Sequence, residues 1–249
     1  SYGTGRPIVL VHGFPFHSGM WSEQIGPLRK IGRVILVDLL GFGASAMNGA
    51  TPATLTMDQQ ADAVAAALDH LKVREPATYV GFSMGGYVGW SFVRRHRARL
   101  DSLVMCNTRA LADTPEAAQA RRDMANTVEG KGHKLVIDAL LPRLVAPRTL
   151  SQRPDVCTRV VDLIEEAQLA AIAGAQRGMA ERPDSTQLAC ELDLPVLAIV
   201  GEHDAISKRE ELEALTGRMR DATLAVIPDA GHMTVLENPT ATNRALGEF

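Results

Sequence analysis

The stretch that decides the fold is Gly81-Phe82-Ser83-Met84-Gly85, which has the form G-x-S-x-G and is followed by a further glycine. Residues 77–80, just before it, are apolar and partly β-branched, the composition of a buried strand. Residues 87–95, just after it, contain no proline and end in two arginines, which is typical of a helix with a basic last turn. A serine in such a tight strand-to-helix turn projects its hydroxyl above the sheet, and small neighbours let strand and helix approach closely.

The rest of the chain predicts further strands of the same sheet, alternating with helices. Continuous apolar runs are the pattern of strands buried on both faces of a parallel sheet. Such runs occupy residues 6–12, 33–38, 100–107, 194–201 and 222–227. Helices are predicted at residues 18–30, 56–71 and 239–249, the second with Thr56 and Gln59 as a capping box. The sequence therefore predicts an α/β protein with a mostly parallel central sheet flanked by helices.

Residues 111–187 differ in composition from the chain on either side. They are rich in Ala, Arg, Glu and Asp at helical spacing, and they contain no convincing strand. Some 75 helical residues are far more than a connection between two parallel strands requires. We expect an inserted helical cap at 111–187 over a core formed by residues 1–110 and 188–249. The alternative is a set of ordinary surface helices.

Three polar residues at predicted strand ends have the chemistry of a catalytic triad. Serine is a weak nucleophile and needs a base to take its proton, and that base needs an orienting acid. In open α/β sheets such groups gather beyond the carboxyl ends of the strands. Ser83, Asp204 and His232 follow strands in the chain order expected for this kind of turn. We predict Ser83 as nucleophile, His232 as base and Asp204 as the orienting acid.

Other residues compete for two of these roles. The other candidate acids near strand ends are Glu202, Asp193 and Asp229. Asp38 is a further candidate, but the glycines that follow it favour a role in bracing its own turn. His203 competes with His232 as the base. His12 is expected to support the turn after the first strand and to transfer no proton, and Asn107 cannot serve as the acid.

Acyl transfer also requires hydrogen-bond donors for the oxyanion that forms on the carbonyl oxygen. The first strand ends in His12-Gly13-Phe14-Pro15, where the glycine allows a sharp turn and the N–H of Phe14 can point above the sheet. The N–H of Met84 lies at the start of a helix and has no partner within it. We predict Phe14 and Met84 as the oxyanion hole.

Together these motifs resemble the α/β-hydrolase fold family, and the resemblance covers nearly the whole chain. It rests on His12-Gly13-Phe14-Pro15, Asp38-x-x-Gly41-x-Gly43-x-Ser45, Gly81-x-Ser83-x-Gly85-Gly86, Gly201-x-x-Asp204 and Gly231-His232. The resemblance implies the same triad and oxyanion hole. Within the family the chain is most similar to small bacterial carboxylesterases and to 3-oxoadipate enol-lactonase-like hydrolases, the latter through Leu103-x-x-Cys106-Asn107-Thr108.

The start of the chain departs from that family's pattern. Members usually have a β-hairpin before the strand that leads to the His-Gly motif, and here only residues 1–5 precede that strand. We therefore expect the hairpin to be absent and the strand at residues 34–38 to lie near a bare sheet edge. An exposed apolar edge invites pairing. A second subunit, giving a homo-oligomer, or another segment is expected to cover it.

Composition restricts the kinds of binding partner and the cellular compartment that we expect. A net charge of −3 over 249 residues gives no electrostatic case for binding nucleic acid or an anionic membrane. No apolar run approaches the ~20 residues of a membrane span, and the start has no basic-then-apolar signal segment. Three cysteines, an odd number without metal-ligand spacing, are typical of reduced thiols. We expect a cytoplasmic protein without a metal or an organic cofactor.

The leading functional hypothesis is a serine hydrolase of carboxylic esters with small to medium acyl or alcohol groups, acting on a small molecule through an acyl-enzyme. The alternatives on the same triad are a lactonase, a perhydrolase and a C–C hydrolase. A ligand-binding receptor of the same fold, with low turnover, belongs to a different class. The intact triad favours catalysis over binding.

Overall fold

A single parallel sheet forms the centre of the described part of the chain. The computed structural model describes residues 1–47 and 51–249. The strands are β1 (Pro7–Val11), β2 (Arg33–Val37), β3 (Ala77–Phe82), β4 (Leu100–Cys106), β5 (Val196–Gly201) and β6 (Ala222–Ile227). They lie in the order β2-β1-β3-β4-β5-β6, and every neighbouring pair is parallel. All six strands were predicted, to within two residues at each end.

Helices flank the sheet. Every residue of β1 and β5 is buried, as expected for central strands of a parallel sheet that is covered on both faces. The helices before β4 are α1 (Ser22–Leu28), α2 (Met57–His70) and α3 (Met84–His96). Those between β4 and β5 are α4 (Pro115–Lys131), α5 (His133–Leu144), α6 (Pro147–Gln152), α7 (Pro154–Glu165), α8 (Leu169–Ala180) and α9 (Thr186–Glu191). Those after β5 are α10 (Arg209–Thr216), α11 (Thr234–Glu237) and α12 (Pro239–Glu248). No helix among the described residues is long and apolar enough to cross a membrane.

The long connection between β4 and β5 is helical and contains no strand, as its composition indicates. Its helices α4 and α8 pack against each other, and α8 also contacts the core segment at residues 52–56. The last helix, α9, extends to Glu191 and packs on α3 and α10. The predicted domain boundaries at 110/111 and 187/188 remain predictions.

The prediction for residues 18–30 was wrong in detail, and that for residues 56–71 was confirmed. Residues 18–21 form a 3₁₀ turn, and only Ser22–Leu28 is an α-helix, which contains Pro27 in its last turn and ends one residue later. A proline inside a helix removes a hydrogen bond to the preceding turn, which disfavours a long regular helix here. In α2 the Thr56 hydroxyl accepts from the N–H of Gln59, and the Gln59 side chain accepts from the N–H of Thr56.

The strand β2 lies at the sheet edge, as expected, and the start of the chain partly pairs with it. Tyr2 forms an isolated antiparallel bridge with Val34, with N–H to carbonyl distances of 2.9 and 2.8 Å. A segment of the same chain therefore satisfies one position of the edge. A second subunit on the rest of this edge remains a prediction.

The strand order fixes where a site can form. The chain runs outward from β1 to β2, and then returns to the other side of β1 with β3. Loops at the carboxyl ends of β1 and β3 therefore diverge, which opens a crevice at this topological switch point. Phe14 follows β1 and Ser83 follows β3 directly.

His12 ties the end of β1 to the loop after β2. Its Nε2 accepts from the N–H of Leu39 at 2.9 Å, and its Nδ1 lies 2.9 Å from the carbonyl oxygen of Gly13 and donates to it. Because Nε2 accepts a hydrogen bond, the ring must be neutral. Burial lowers the pKa of His12 to about 4, in agreement with that state.

We expect the neutral state of His12 to make stability depend on pH. Its folded pKa lies below the ordinary value of 6.5, so the unfolded chain binds a proton first as the pH falls. Stability should decrease between pH about 6.5 and about 4, by up to roughly 3 kcal/mol from this group. Chemical unfolding of wild type and His12→Gln at pH 7.5, 6 and 5 tests this: the difference between them should shrink as the pH falls. A constant difference would contradict the assignment.

The packing of α8 gives a second prediction. A Cβ on Gly178 would overlap the backbone carbonyl of Leu55, whereas a Cβ on Gly130 in α4 would meet open space. Gly178→Ala should therefore lower the free energy of unfolding, because backbone must move to admit the methyl group. Gly130→Ala is the matched control and should raise it by up to about 1 kcal/mol through helix propensity. Thermal unfolding of both variants decides this. Equal shifts would show that α8 does not approach the core so closely.

Candidate active site

Ser83 lies in a backbone conformation that few non-glycine residues adopt. Its φ and ψ are 50° and −110°, between the end of β3 and the start of α3. The surroundings fix this geometry: the Ser83 N–H donates to the carbonyl of Cys106 at 2.8 Å, and the Thr108 hydroxyl donates to the Ser83 carbonyl at 2.7 Å. Such strain clusters at functional sites, where the fold holds a side chain in one position.

Gly85 allows α3 to begin close to β1. A Cβ at this position would overlap the carbonyl oxygens of Val11 and His12. Without a side chain there, the first turn of the helix packs directly on the end of the neighbouring strand. The helix start thereby faces the crevice above β1 and β3.

His232 joins Ser83 to Asp204. Its Nε2 lies 2.9 Å from the Ser83 Oγ, and its Nδ1 lies 2.9 and 3.0 Å from the two carboxylate oxygens of Asp204. The imidazole is 1% exposed and packs edge-on against Phe82 at a centroid distance of 5.2 Å. The structure thus brings together the three residues predicted as the triad.

The Asp204 carboxylate is fully buried and is held by four groups. It accepts from the N–H groups of Ile206 and Ser207 at 2.8 and 2.9 Å and from the Asn107 amide at 2.9 Å, besides contacting His232. Burial alone would raise the pKa of Asp204, but His232 and these hydrogen bonds hold it below its usual value. The carboxylate is therefore ionised at neutral pH.

Asn107 contributes in a way that the sequence did not indicate. Its amide nitrogen donates to Asp204, and its amide oxygen accepts from the Thr234 hydroxyl at 2.7 Å. It therefore connects Asp204 to the loop that carries His232. Its position just after β4 was the only signal available, since the two contacts are with residues 97 and 127 positions away.

The competing residues lie elsewhere. The Asp38 carboxylate accepts from the N–H groups of Ser18 and Ala44, which braces its own turn. Glu202 accepts from the N–H of Asp229, and His203 lies beside Glu202 with about half of its side chain exposed. None of these side chains contacts Ser83 in the described structure.

Phe14 and Met84, the predicted oxyanion donors, flank the crevice. Phe14 follows β1 and lines the same cavity as Ser83. Met84 is the first residue of α3, so its N–H has no acceptor within the helix. Neither N–H donates to another described residue. Both remain available to a ligand oxygen.

Glu237 holds both sides of the His232 loop, a feature that sequence reasoning missed. One carboxylate oxygen accepts from the N–H groups of Gly231 and Met233 at 2.9 and 3.1 Å, and the other accepts from the N–H of Ala146 at 2.7 Å. The side chain is buried, and burial raises the pKa of this carboxyl above its ordinary value. A glutamate five residues after a candidate histidine gives no signal of these contacts.

A cavity of about 310 Å³ opens above Ser83 and His232. The core contributes Phe14, Tyr87, Arg109 and Ile206 to its wall. Helices α4, α5 and α8 contribute the remaining wall, a mixture of small, apolar and charged side chains: Asp113 before α4, and Ala117, Ala120, Arg121, Met124, Ala139, Leu140, Arg143, Leu144, Gln176 and Met179. The described residues contain no group of three or more His, Cys, Asp or Glu side chains that could hold a metal ion.

Known proteins with the same architecture provide a comparison. The sequence model described as "Alpha/beta hydrolase family" matches residues 8–245. A thermophilic esterase from Thermogutta terrifontis, solved with malate bound, superposes with a TM-score of 0.95. It is 40% identical, and the match covers 99% of this chain and 90% of that one.

Two enol-lactonases are also similar. The structure of the enol-lactonase from Burkholderia xenovorans LB400 superposes with a TM-score of 0.89 at 27% identity, covering 99% of this chain and 91% of that one. The 3-oxoadipate enol-lactonase 2 of Acinetobacter baylyi is 28% identical over 243 residues, which cover 97% of this chain and 87% of that protein.

The contacts of Glu237 predict a graded loss of Ser83 reactivity. Glu237→Ala removes both carboxylate oxygens, so the N–H groups of Gly231, Met233 and Ala146 lose their acceptor and the His232 loop is freed. It should slow modification of Ser83 by a fluorophosphonate probe about 10- to 100-fold, since small displacements of catalytic groups cost that much. Glu237→Gln retains one oxygen for Gly231 and Met233 and should lose less. Intact-mass kinetics measure both rates.

Glu202→Gln is the matched control, because it makes the same change in a carboxylate that accepts one N–H from the same loop, at Asp229. It should react at the wild-type rate. Wild-type rates in both Glu237 variants, in protein with unchanged melting temperature, would show that Glu237 does not position His232.

Proposed function

Because the chain belongs to the alpha/beta hydrolase family, we propose that it is a serine hydrolase that cleaves carboxylic esters through an acyl-enzyme. One observation carries the proposal: an unbroken hydrogen-bond chain runs from Asp204 through His232 to the Ser83 Oγ, which faces a cavity large enough for a small ligand. A volume of about 310 Å³ lies at the low end of the ~300–1,000 Å³ typical of small-molecule sites. Small to medium esters fit that space.

The first half of the reaction forms the acyl-enzyme. His232 Nε2 takes the proton of the Ser83 hydroxyl as the Oγ attacks the ester carbonyl carbon. The carbonyl oxygen becomes an oxyanion, to which the N–H groups of Phe14 and Met84 donate. The ionised, buried Asp204 stabilises the imidazolium and keeps its Nδ1–H directed away from Ser83.

Departure of the alcohol completes the acyl-enzyme, and the second half of the reaction then releases the acid. His232 returns its proton to the leaving alcohol as the carbon–oxygen bond breaks, which leaves the acyl group on Ser83. Water then takes the place of the alcohol, gives a proton to His232 and attacks the acyl carbon. The second tetrahedral intermediate collapses to the free acid as the bond to Oγ breaks, and His232 returns the proton to Oγ, which restores the Ser83 hydroxyl. In each of these reaction steps, side chains of this protein take up and return the proton.

The names of similar proteins support the ester reading and favour a second candidate. The relative with 40% identity is called an esterase. Two relatives below 30% identity are called enol-lactonases, which makes a lactonase the second candidate. A lactone is a cyclic ester, so the same steps open it, with the leaving alcohol still attached to the acyl group.

The role of Ser83 makes a direct prediction. Ser83→Ala should reduce kcat for a short-chain p-nitrophenyl ester about 10⁴-fold or more, because triad members act as a unit. Release of nitrophenol measures the rate. The fluorophosphonate probe should add one adduct to wild type and none to the variant.

Ser102→Ala is the matched control, since that hydroxyl bonds Thr78 on the sheet and lies away from the cavity. It should keep wild-type activity. Equal turnover by wild type and Ser83→Ala would exclude Ser83 as the nucleophile. Wild-type protein that binds the probe but turns over neither esters nor lactones would favour the low-turnover receptor.

A further inference from the structure

We propose that the substrate carries a free carboxylate besides the ester that is cleaved, and that Arg143 binds this carboxylate at the cap side of the cavity. The inference rests on the proposed ester hydrolysis and names its substrate class. The inference comes from the charged side chains around the cavity, where positive groups outnumber negative ones.

The cavity wall is positive in a protein that is negative overall. Arg109, Arg121 and Arg143 line it, against one carboxylate, Asp113. The whole chain has a net charge of −3. A cleft lined by one sign of charge concentrates ligands of the opposite sign, because its low-dielectric walls focus the field.

Asp113 is already shared by two arginines. Its carboxylate contacts Arg121 Nε at 2.5 Å and Arg182 Nη2 at 2.8 Å, and both it and Arg182 are almost fully buried. Burial opposes ionisation of Asp113, but the two guanidinium groups hold its pKa below the usual value. Arg182 also stacks over Tyr87, 4.0 Å from the ring centre. This cluster is structural and is positive by one charge.

Arg109 is paired. Its Nη2 lies 3.1 Å from a carboxylate oxygen of Glu211 and donates to the carbonyl of Ile206 at 3.1 Å. Glu211 therefore cancels its charge. Arg109 forms part of the cavity wall without adding to the excess.

Arg143 has no such partner. It lies in the last turn of α5, is exposed at the cavity, and makes no hydrogen bond or ion pair with another described residue. The charged side chains that line the cavity or bond to those lining it can be counted together. They are four guanidinium groups (Arg109, Arg121, Arg143 and Arg182) and three carboxylates (Asp113, Asp204 and Glu211). One positive charge is left over. Arg143 is the arginine whose donors are all free.

The chemistry of this group selects a carboxylate. A guanidinium presents parallel N–H donors that match the two oxygens of a carboxylate. Leu140 and Leu144, on the same face of α5 as Arg143, line the cavity beside it. These apolar side chains suit a short hydrocarbon chain between the two ends of the ligand. A half-ester of a short dicarboxylic acid combines these features, with its ester carbonyl at Ser83 and its carboxylate at Arg143.

Two esters that differ only in the distal group test the proposal. Monomethyl glutarate has the carboxylate, and methyl pentanoate has a methyl group at its place. Wild type should hydrolyse the half-ester with at least a 10-fold higher kcat/KM, measured by methanol release. Arg143→Gln should lower kcat/KM for the half-ester about 10-fold, mainly through KM, and should affect methyl pentanoate much less. Arg143→Lys should fall between them, because it keeps the charge without the paired donors.

Arg122→Gln is the matched control. Arg122 is an exposed arginine of α4 that does not line the cavity, so this variant makes the same change in net charge. It should hydrolyse both esters at wild-type rates. No preference for the half-ester in wild type, an equal loss on both esters in Arg143→Gln, or an equal effect of Arg122→Gln would overturn the proposal while leaving ester hydrolysis intact. Failure of the underlying function would look different, since neither ester would be cleaved and Ser83 would not react with the fluorophosphonate.

Discussion

The site depends on one constraint, the left-handed backbone of Ser83 at the junction of β3 and α3. With an extended backbone, Ser83 would continue β3 and its hydroxyl would be buried. With a helical backbone, its hydroxyl would lie along α3. Three features hold it between these states: its bonds to Cys106 and Thr108, and the close approach of Gly85 to β1. The cost of a strained residue is of order 1–3 kcal/mol, which the packing of a six-stranded parallel sheet can offset.

A second requirement follows from burying a negative charge beside the imidazole of His232. The Asp204 carboxylate is fully buried, and desolvation of a lone carboxylate would neutralise it. Two backbone N–H groups, Asn107 and His232 together keep it ionised. Asn107 and Glu237 in turn fix the loop that carries His232, by bonding Thr234 on one side and Gly231 and Met233 on the other. The site is therefore held by polar contacts between loops, on a frame built by apolar strands.

The sequence predicted the features of the fold and site that depend on local patterns. Six strands, the strained turn and the chain order of Ser83, Asp204 and His232 follow from apolar runs and from glycines next to them. It did not predict the contacts of Asn107, or that Arg143 has no partner among the described residues, because these depend on segments far apart in the chain. It did not predict the contacts of Glu237 either, because its bonds to Gly231 and Met233 depend on the path of the loop and its bond to Ala146 joins distant segments. The helix predicted at residues 18–30 was too long for a different reason: His17 accepts from the N–H of Gly19 and caps a 3₁₀ turn at residues 18–21, which apolar spacing does not distinguish from an α-helix.

The predicted triad and the unbalanced positive charge lie in different parts of the chain. Ser83, Asp204 and His232 follow strands of the sheet, whereas Arg121 and Arg143 lie on helices between β4 and β5. A substitution on α5 therefore changes the charge of the cavity wall without changing the strand ends that position the predicted triad. Glu237 links the two parts: one of its oxygens bonds the loop of His232, and the other bonds Ala146, which lies between α5 and α6. Glu237 therefore connects the helical segment between β4 and β5 to the loop of His232 through one side chain, and the position of that loop depends on contacts with both.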